Sequence, residues 1–434
     1  MLLKTIIIII LSLFSAMTGA VNGYFLMGYS PKYIGVGGMG VAHPQDSMAA
    51  SINPAGTALV APGWDFNLRF MHPQRAAEVD CTGIGGCDRP VADRSTREFF
   101  VVPAFGFVRR VAPGWSVGLS VYANGGLNTT YSRALFNEAT ARILGGNPAD
   151  PGFPVRDKLG VDFSQLIFAP SLAWQASDRL TLGLAPLFAV QRFAAFGIQG
   201  FAPLSSDATS LSNRSTEYSL GIGTRIGAIV ELTPGLRLGA QYTSRIFTQR
   251  YTRYNGLFPD GGELDGPPHY TVGIAWDVTP RWTLGFDFQQ IQFATVEAIG
   301  NPGPTAAELI GNITPARRLG GPSGIGFGWR NQSVYKAGII YRPTGRLVWR
   351  LGWNYGEGQI PREETLINLL MPGLLEHHIT GGMSYTFAHG GEMSLGYMHG
   401  FTMSQRDPQS DFLGAPVSAW SQGDGLDVSY SRRF

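Results

Sequence analysis

Past residue 20 the chain has no run of about 18 consecutive apolar residues, so no helical segment of it is expected to cross a bilayer. Charge is scarce as well. Charged side chains make up 15% of the chain, against roughly 25% in water-soluble domains, and something other than water should face much of the surface. The net charge is only +2 and no basic run exceeds two residues, which leaves no basis for a nucleic-acid partner. Cysteine is nearly absent: Cys81 and Cys87 are the pair. Zinc needs four ligands and no histidine lies within that segment, so a disulfide closing a loop in an oxidising compartment is expected, with no metal and no cofactor. The seven histidines are scattered and assemble no Ser-His-Asp set, which argues against a hydrolase and against an enzyme in general.

Glycine, in contrast, is abundant, with 58 residues among 434, roughly twice the usual share. Gly35-Val-Gly37-Gly38-Met-Gly40 matches the dinucleotide pattern literally. Its surroundings do not. No buried strand precedes it, Pro44 falls where the phosphate-binding helix should run, and Asp46 and Asp65 are too near and too far to hold a ribose.

Residues 1–20 read as an export signal: a basic start at Lys4, a short apolar core with five successive isoleucines, and small residues ending at Ala20. From residue 64 onward, segments of about ten residues alternate apolar with small or polar side chains. Connections between them are alternately very short and long. This is the rhythm of an antiparallel transmembrane β-barrel, an all-β fold. Tight turns at 111–114, 176–178, 233–235, 279–281, 343–345 and 388–391 join strands at 99–110, 115–122, 161–175, 179–193, 217–232, 236–247, 270–278, 282–293, 332–342, 346–355, 377–387 and 392–401. An opening strand at 64–71 and a closing one at 425–434 bring the expected number to about fourteen.

Side-chain period then assigns the faces. Leu236, Leu238, Ala240 and Tyr242 point to lipid and Arg237, Gly239 and Gln241 to the lumen; Tyr335, Ala337, Ile339 and Tyr341 point out while Lys336, Gly338 and Ile340 point in. Trp115, Trp282, Trp349 and Trp353 near strand ends fit interfacial girdles. The last strand ends on Phe434 with Tyr430, Val428 and Leu426 at alternate positions before it and only Arg432 out of pattern, which resembles the C-terminal signature of bacterial outer-membrane barrels read by the barrel-assembly machinery. A lipid bilayer with lipopolysaccharide and a monomeric state follow from that reading. The long connections at 73–97, 124–160, 194–216, 248–269, 294–331, 357–376 and 402–424 then lie outside the cell, with a short helix expected within 133–144.

The segment 35–42, followed by Asp46 to Ser51 and then Asn53-Pro54-Ala55, resembles the amino-terminal hatch of the FadL-type long-chain fatty acid transporters and their TodX-like hydrocarbon-uptake relatives. That resemblance implies a fourteen-stranded barrel (64–434) closed by an N-terminal hatch (21–63). Gly35, Gly37, Gly38 and Gly40 would let the hatch backbone approach the wall, and Asn53 and Pro54 would fix the handover turn. It implies passive uptake of hydrophobic compounds, long-chain fatty acids first and aromatic or aliphatic hydrocarbons second, with lateral exit where the third strand is kinked. A purely structural or adhesive barrel is the alternative of another class. Asn124, Gly125 and Gly126 are the expected lateral opening. Leu135, Phe136, Phe153, Phe196 and Phe201 are expected to form exposed apolar loop surface for capture. Arg225, Arg245, Lys336 and Arg350 are inward by parity, and a carboxylate ligand needs one or two such cations.

Overall fold

In the computed structural model, residues 21–143, 158–411 and 414–434 are described. Fourteen antiparallel strands form the wall: β1 (Gly63–Val79), β2 (Phe100–Ala112), β3 (Trp115–Tyr131), β4 (Leu159–Gln175), β5 (Leu180–Phe196), β6 (Glu217–Thr233), β7 (Leu236–Thr243), β8 (His269–Thr279), β9 (Trp282–Ile291), β10 (Gln332–Tyr341), β11 (Leu347–Gly356), β12 (His377–Thr386), β13 (Gly391–Asp407) and β14 (Val417–Arg433). Each pairs with its chain neighbours, and β14 closes the ring on β1 from Gly63↔Arg433 to Val79↔Val417. Two short strands, Val91–Arg94 on β1 and Phe247–Thr248 on β6, add to the rim.

The alternation that produces these strands is visible in their burial. On β7, Leu238, Ala240 and Tyr242 are exposed while Gly239, Gln241 and Thr243 are buried. On β10, Val334, Lys336, Gly338 and Ile340 face in. Leu184, Phe188, Ile226, Trp276, Trp349 and Leu351 are among the exposed large apolar side chains, and such a ring is stable only against lipid.

Several strands are longer than the sequence rhythm suggests. β1 continues eight residues past Met71, and β3 continues nine past Tyr122, through Asn124, Gly125 and Gly126. The turn chemistry of Asn-Gly-Gly argued for a strand end, but main-chain pairing to β4 carries β3 onward to Tyr131. Outside, Cys81 and Cys87 form a disulfide, and the helix Leu135–Ile143 lies against that loop, where Gly86 N–H donates to Ile143 O (3.2 Å).

Candidate functional site

Residues 21–62 lie inside the barrel and are held by polar groups of the wall. Gly40 N–H and Val41 N–H donate to Asp287 Oδ2 (2.8 and 3.0 Å), and Gly37 N–H donates to Thr380 Oγ1 (2.9 Å). Asn354 Nδ2 donates to Gly37 O (3.1 Å), Ser47 N–H to Asp65 Oδ2 (2.9 Å), and Arg433 Nη1 to the same oxygen (2.7 Å). Lys32 forms an ion pair with Glu392. Asn53 caps the turn Pro54–Ala58 by accepting from Ala55 N–H (3.1 Å). Its amide donates to Val41 O (2.8 Å) and to Ala228 and Ala240 O (3.2 and 3.3 Å), so one side chain ties the turn, the inner segment and β6–β7 together.

The opening motif has a steric logic. Gly37 and Gly38 take φ of 67° and 81°, a region that favours glycine. Added Cβ atoms there would overlap Trp353 backbone and Met27 O. The wall is cut back to match: inward glycines, of which sequence parity places Gly239 and Gly338, recur on nearly every strand, and sequence reading missed that together they form the seat. Gly285, Gly338 and Gly352 stand side by side on β9, β10 and β11. Side chains on them would strike Met39, Val36 and Gly37, and side chains on Gly183, Gly227 and Gly239 would strike Ala55, Asn53 and Val41. Inward parity combined with glycine, strand after strand, is the signal that would have found this seat.

The expected cations separate. Arg225 is buried; its Nη1 donates to Ala50 O (3.0 Å), Ser51 O (2.5 Å) and Tyr122 Oη (3.1 Å), and its Nε to Thr243 Oγ1 (2.8 Å). Arg350 donates to Gln45 Oε1 (2.8 Å) and Ser384 Oγ (2.7 Å). Both fasten the inner segment. Arg245, inward by parity, instead follows the end of β7 at the rim and pairs with Glu263 and Asp265, each at 3.5 Å. Burial raises the Asp265 carboxyl above its ordinary range. Lys336 is buried and lines a polar cavity of about 30 Å³ with Arg225, Asp287, His269 and Gln289 under Phe25. Among the described residues no hydrogen bond occupies its ammonium.

The loop residues also sit differently from expectation. Leu135, Phe136 and Phe201 are buried, not exposed, and Phe196 is half-buried; Phe153 lies outside the described residues. The loops pack on one another as a roof, because their apolar residues have no other way to leave water. The roof is stitched across loops: Trp329 Nε1 donates to Asn368 Oδ1 (2.6 Å) and Gly303 N–H to Glu364 Oε2 (2.8 Å). Beneath it are two apolar cavities of about 20 and 30 Å³ that share Phe193, Phe258 and Phe327. Tyr24 and Trp329 close the lower one. Among the described residues no charged side chain lines either.

Beside this chamber the hydrogen-bond ladder of the wall is interrupted. β2 and β3 pair only from Phe105↔Val121 down to the turn. Above that level β3 runs ten more residues, and the next link across is Thr96 N–H donating to Thr130 O (2.8 Å). Asn124 is an extra residue in the pairing with β4, between Ala123↔Leu166 and Gly125↔Gln165, and such a bulge bends its strand. The free edge is occupied from inside: Leu26 N–H donates to Asn124 O (3.3 Å) and Gly126 N–H to Tyr24 O (2.9 Å). Asn124 Oδ1 accepts from Tyr29 Oη (2.8 Å) while its Nδ2 donates to Gln165 Oε1 (2.7 Å). Asn124, Gly125 and Gly126 therefore meet the inner segment at a gap in the wall.

Solved structures with the same fold include the Pseudomonas putida toluene transporter TodX (TM-score 0.67, 17% identity, 94% of this chain and 99% of that one). A Pseudomonas aeruginosa FadL homologue is similar (0.65, 16%, 95% and 100%), as is the Ralstonia pickettii toluene transporter TbuX (0.61, 17%, 94% and 99%). No individual curated protein matches the sequence. Residues 36–425 match the family model described as "Outer membrane protein transport protein (OMPP1/FadL/TodX)". With that match over most of its length, and a closed fourteen-stranded barrel under it, the chain belongs to the FadL/TodX family of integral outer-membrane transport proteins.

Proposed function

We propose that this protein takes hydrophobic molecules from the extracellular side, holds them under the apolar roof, and releases them sideways between β2 and β3 into the membrane, down their gradient. The observation that carries this is the interrupted β2–β3 ladder, which lies beside an apolar chamber and is stopped from within by Tyr24, Phe25 and Leu26. Below that level the inner segment is seated against the wall by charged and glycine contacts, which supports a sideways rather than an axial route. The cavities are too small for a cargo molecule, since about 10–15 Å³ already holds one water. Entry therefore requires the segment that carries Tyr24 and Phe25 to move, and displacing its backbone would break two main-chain hydrogen bonds to β3 and free its edge. Residues 1–20 act in this reading as the signal for export.

The lining of the chamber favours uncharged cargo, aromatic or aliphatic hydrocarbon. A long-chain fatty acid is favoured by one observation, the Lys336 ammonium facing the polar cavity under Phe25. Binding of toluene and of a long-chain fatty acid to the purified protein separates the two. If Lys336→Ala abolishes fatty acid binding and spares toluene, the carboxylate reading stands; if it changes neither, cargo is recognised by apolar surface alone. Absence of binding of any hydrophobic compound would sink the transport reading.

A further inference from the structure

The outward face of β13, β14 and β1 changes character with height. Along β14 the outward residues are Tyr430, Val428 and Leu426, then Asp424, Gln422, Trp420 and Ser418. His72 of β1 and His399 of β13 stand beside Asp424 in register. Asp424 Oδ1 accepts from Tyr397 Oη (2.7 Å) and lies 2.8 Å from His399 Nδ1. An ionised group is costly in hydrocarbon, so this row marks its upper limit. The strands do not stop there: all three continue to Val79, Asp407 and Val417, and Val91–Arg94 joins β1. At about 3.4 Å per residue and a tilt near 40°, Trp420 stands about 10 Å above Asp424, at the level of lipid headgroups.

There the outward face forms an open groove of about 560 Å³. Register arranges its lining in two rows, Ser404–Trp420–Ala76–Arg94 and Ser418–Glu78–Ala92, with Asp93 between Ala92 and Arg94. The Arg94 guanidinium reaches across Ala76 and lies over the Trp420 ring, 5.5 Å from its centroid. Among the described residues no hydrogen bond engages the Glu78 carboxylate, the Arg94 guanidinium or the hydroxyls of Ser404 and Ser418. Apart from the indole, the floor is alanine, which suits no acyl chain. A half-exposed indole with a guanidinium over one face, the carboxylates of Glu78 and Asp93 and two hydroxyls around it is what a sugar residue requires: its C–H groups pack against the remaining indole surface and its hydroxyls both donate and accept. Glu78 beside Arg94 disfavours a bare phosphate.

We propose that this groove binds sugar residues of the glycolipid around the barrel, the core oligosaccharide of lipopolysaccharide. The proposal is independent of the cargo. It is tested with the full-length delipidated protein in detergent, titrated by native mass spectrometry with lipopolysaccharide carrying a complete core, with a form truncated near lipid A, and with lipid A alone. Complete-core material is expected to bind, and Trp420→Ala to weaken it about tenfold, as loss of an aromatic contact would, with Arg94→Ala weakening it through the lost charged donor. Heat-modifiable gel migration and unchanged binding in the chamber report an intact barrel. Ser404→Ala combined with Glu78→Gln gives a milder variant, expected to weaken binding in the same direction if Trp420→Ala does not assemble. Equal binding of lipid A alone, binding that follows phosphate content at constant sugar, or indifference to these substitutions would overturn the proposal.

Discussion

Arg225 decides between two readings of the lumenal cations. Its guanidinium donates to two carbonyls of the inner segment, at 3.0 and 2.5 Å, and to Tyr122 Oη at 3.1 Å, all buried. A hydrogen bond from a charged donor contributes about 1.5–3 kcal/mol, and Arg225→Ala also leaves the Ala50 and Ser51 carbonyls without this donor. A loss of about 3 kcal/mol in docking of the inner segment is expected, a rise of roughly a hundredfold in its undocked population. Arg225→Lys, which keeps the charge and loses the fork, should fall between. Protease cleavage within residues 40–60 of the folded barrel, together with ionic conductance in a planar bilayer, reads this population. Fatty acid binding is measured in parallel. Unchanged protection and conductance with weakened fatty acid binding would refute the fastening role and make Arg225 a carboxylate receptor.

Other consequences are as direct. Asp287→Ala strips the Gly40 and Val41 amides of their acceptor and should raise conductance as Arg225→Ala does, with thermal unfolding of the barrel itself little changed. Gly125→Leu places a side chain against Tyr24 O; it should expel residues 22–26 from the gap and make them cleavable, whereas continued protection would show that the gap has room. Burial raises the Glu364 carboxyl above its ordinary range, so the folded roof binds its proton more tightly than the unfolded chain and loses stability as pH rises through that range. Glu364→Gln should flatten this dependence, monitored by thermal melts between pH 4 and 8; an unaltered slope would place the titration elsewhere.

The wall was legible because lipid enforces a period of two: the positions of Leu238, Tyr242, Ile339 and Tyr341 could be read by counting. The ends of strands were not, since the upper halves of β1, β3, β13 and β14 are specified by pairing with partners distant in sequence, which Asn124-Gly125-Gly126 and Pro73 mask locally. The motif around Gly35 to Gly40 could be denied a phosphate from its neighbours alone. Its counterpart, glycines such as Gly352 and Gly338, was within reach of parity as inward positions, but that Val36 and Gly37 seat on them follows from the contact between the two surfaces. For Arg225 and Arg350, parity gave the direction of the side chain but not its partners, which are carbonyl, amide and hydroxyl oxygens that no charge pattern reports. The apolar loops were legible as composition. Their burial under one roof depends on contacts between loops far apart in the chain, such as Trp329 with Asn368.

Lateral release is the central claim, and deletion of Asn124 addresses it most directly. Removing the extra residue restores even register between Ala123 and Gly125 on β3 and straightens the strand toward β2. Uptake of a radiolabelled hydrophobic compound into cells carrying the variant is then compared with the unaltered protein, alongside cargo binding to both purified proteins. The account predicts a folded barrel that still binds cargo and has lost at least about nine-tenths of its uptake, the tenfold fall that a 1.4 kcal/mol barrier imposes. Uptake at the level of the unaltered protein, with the strand shown to be straight, would contradict it.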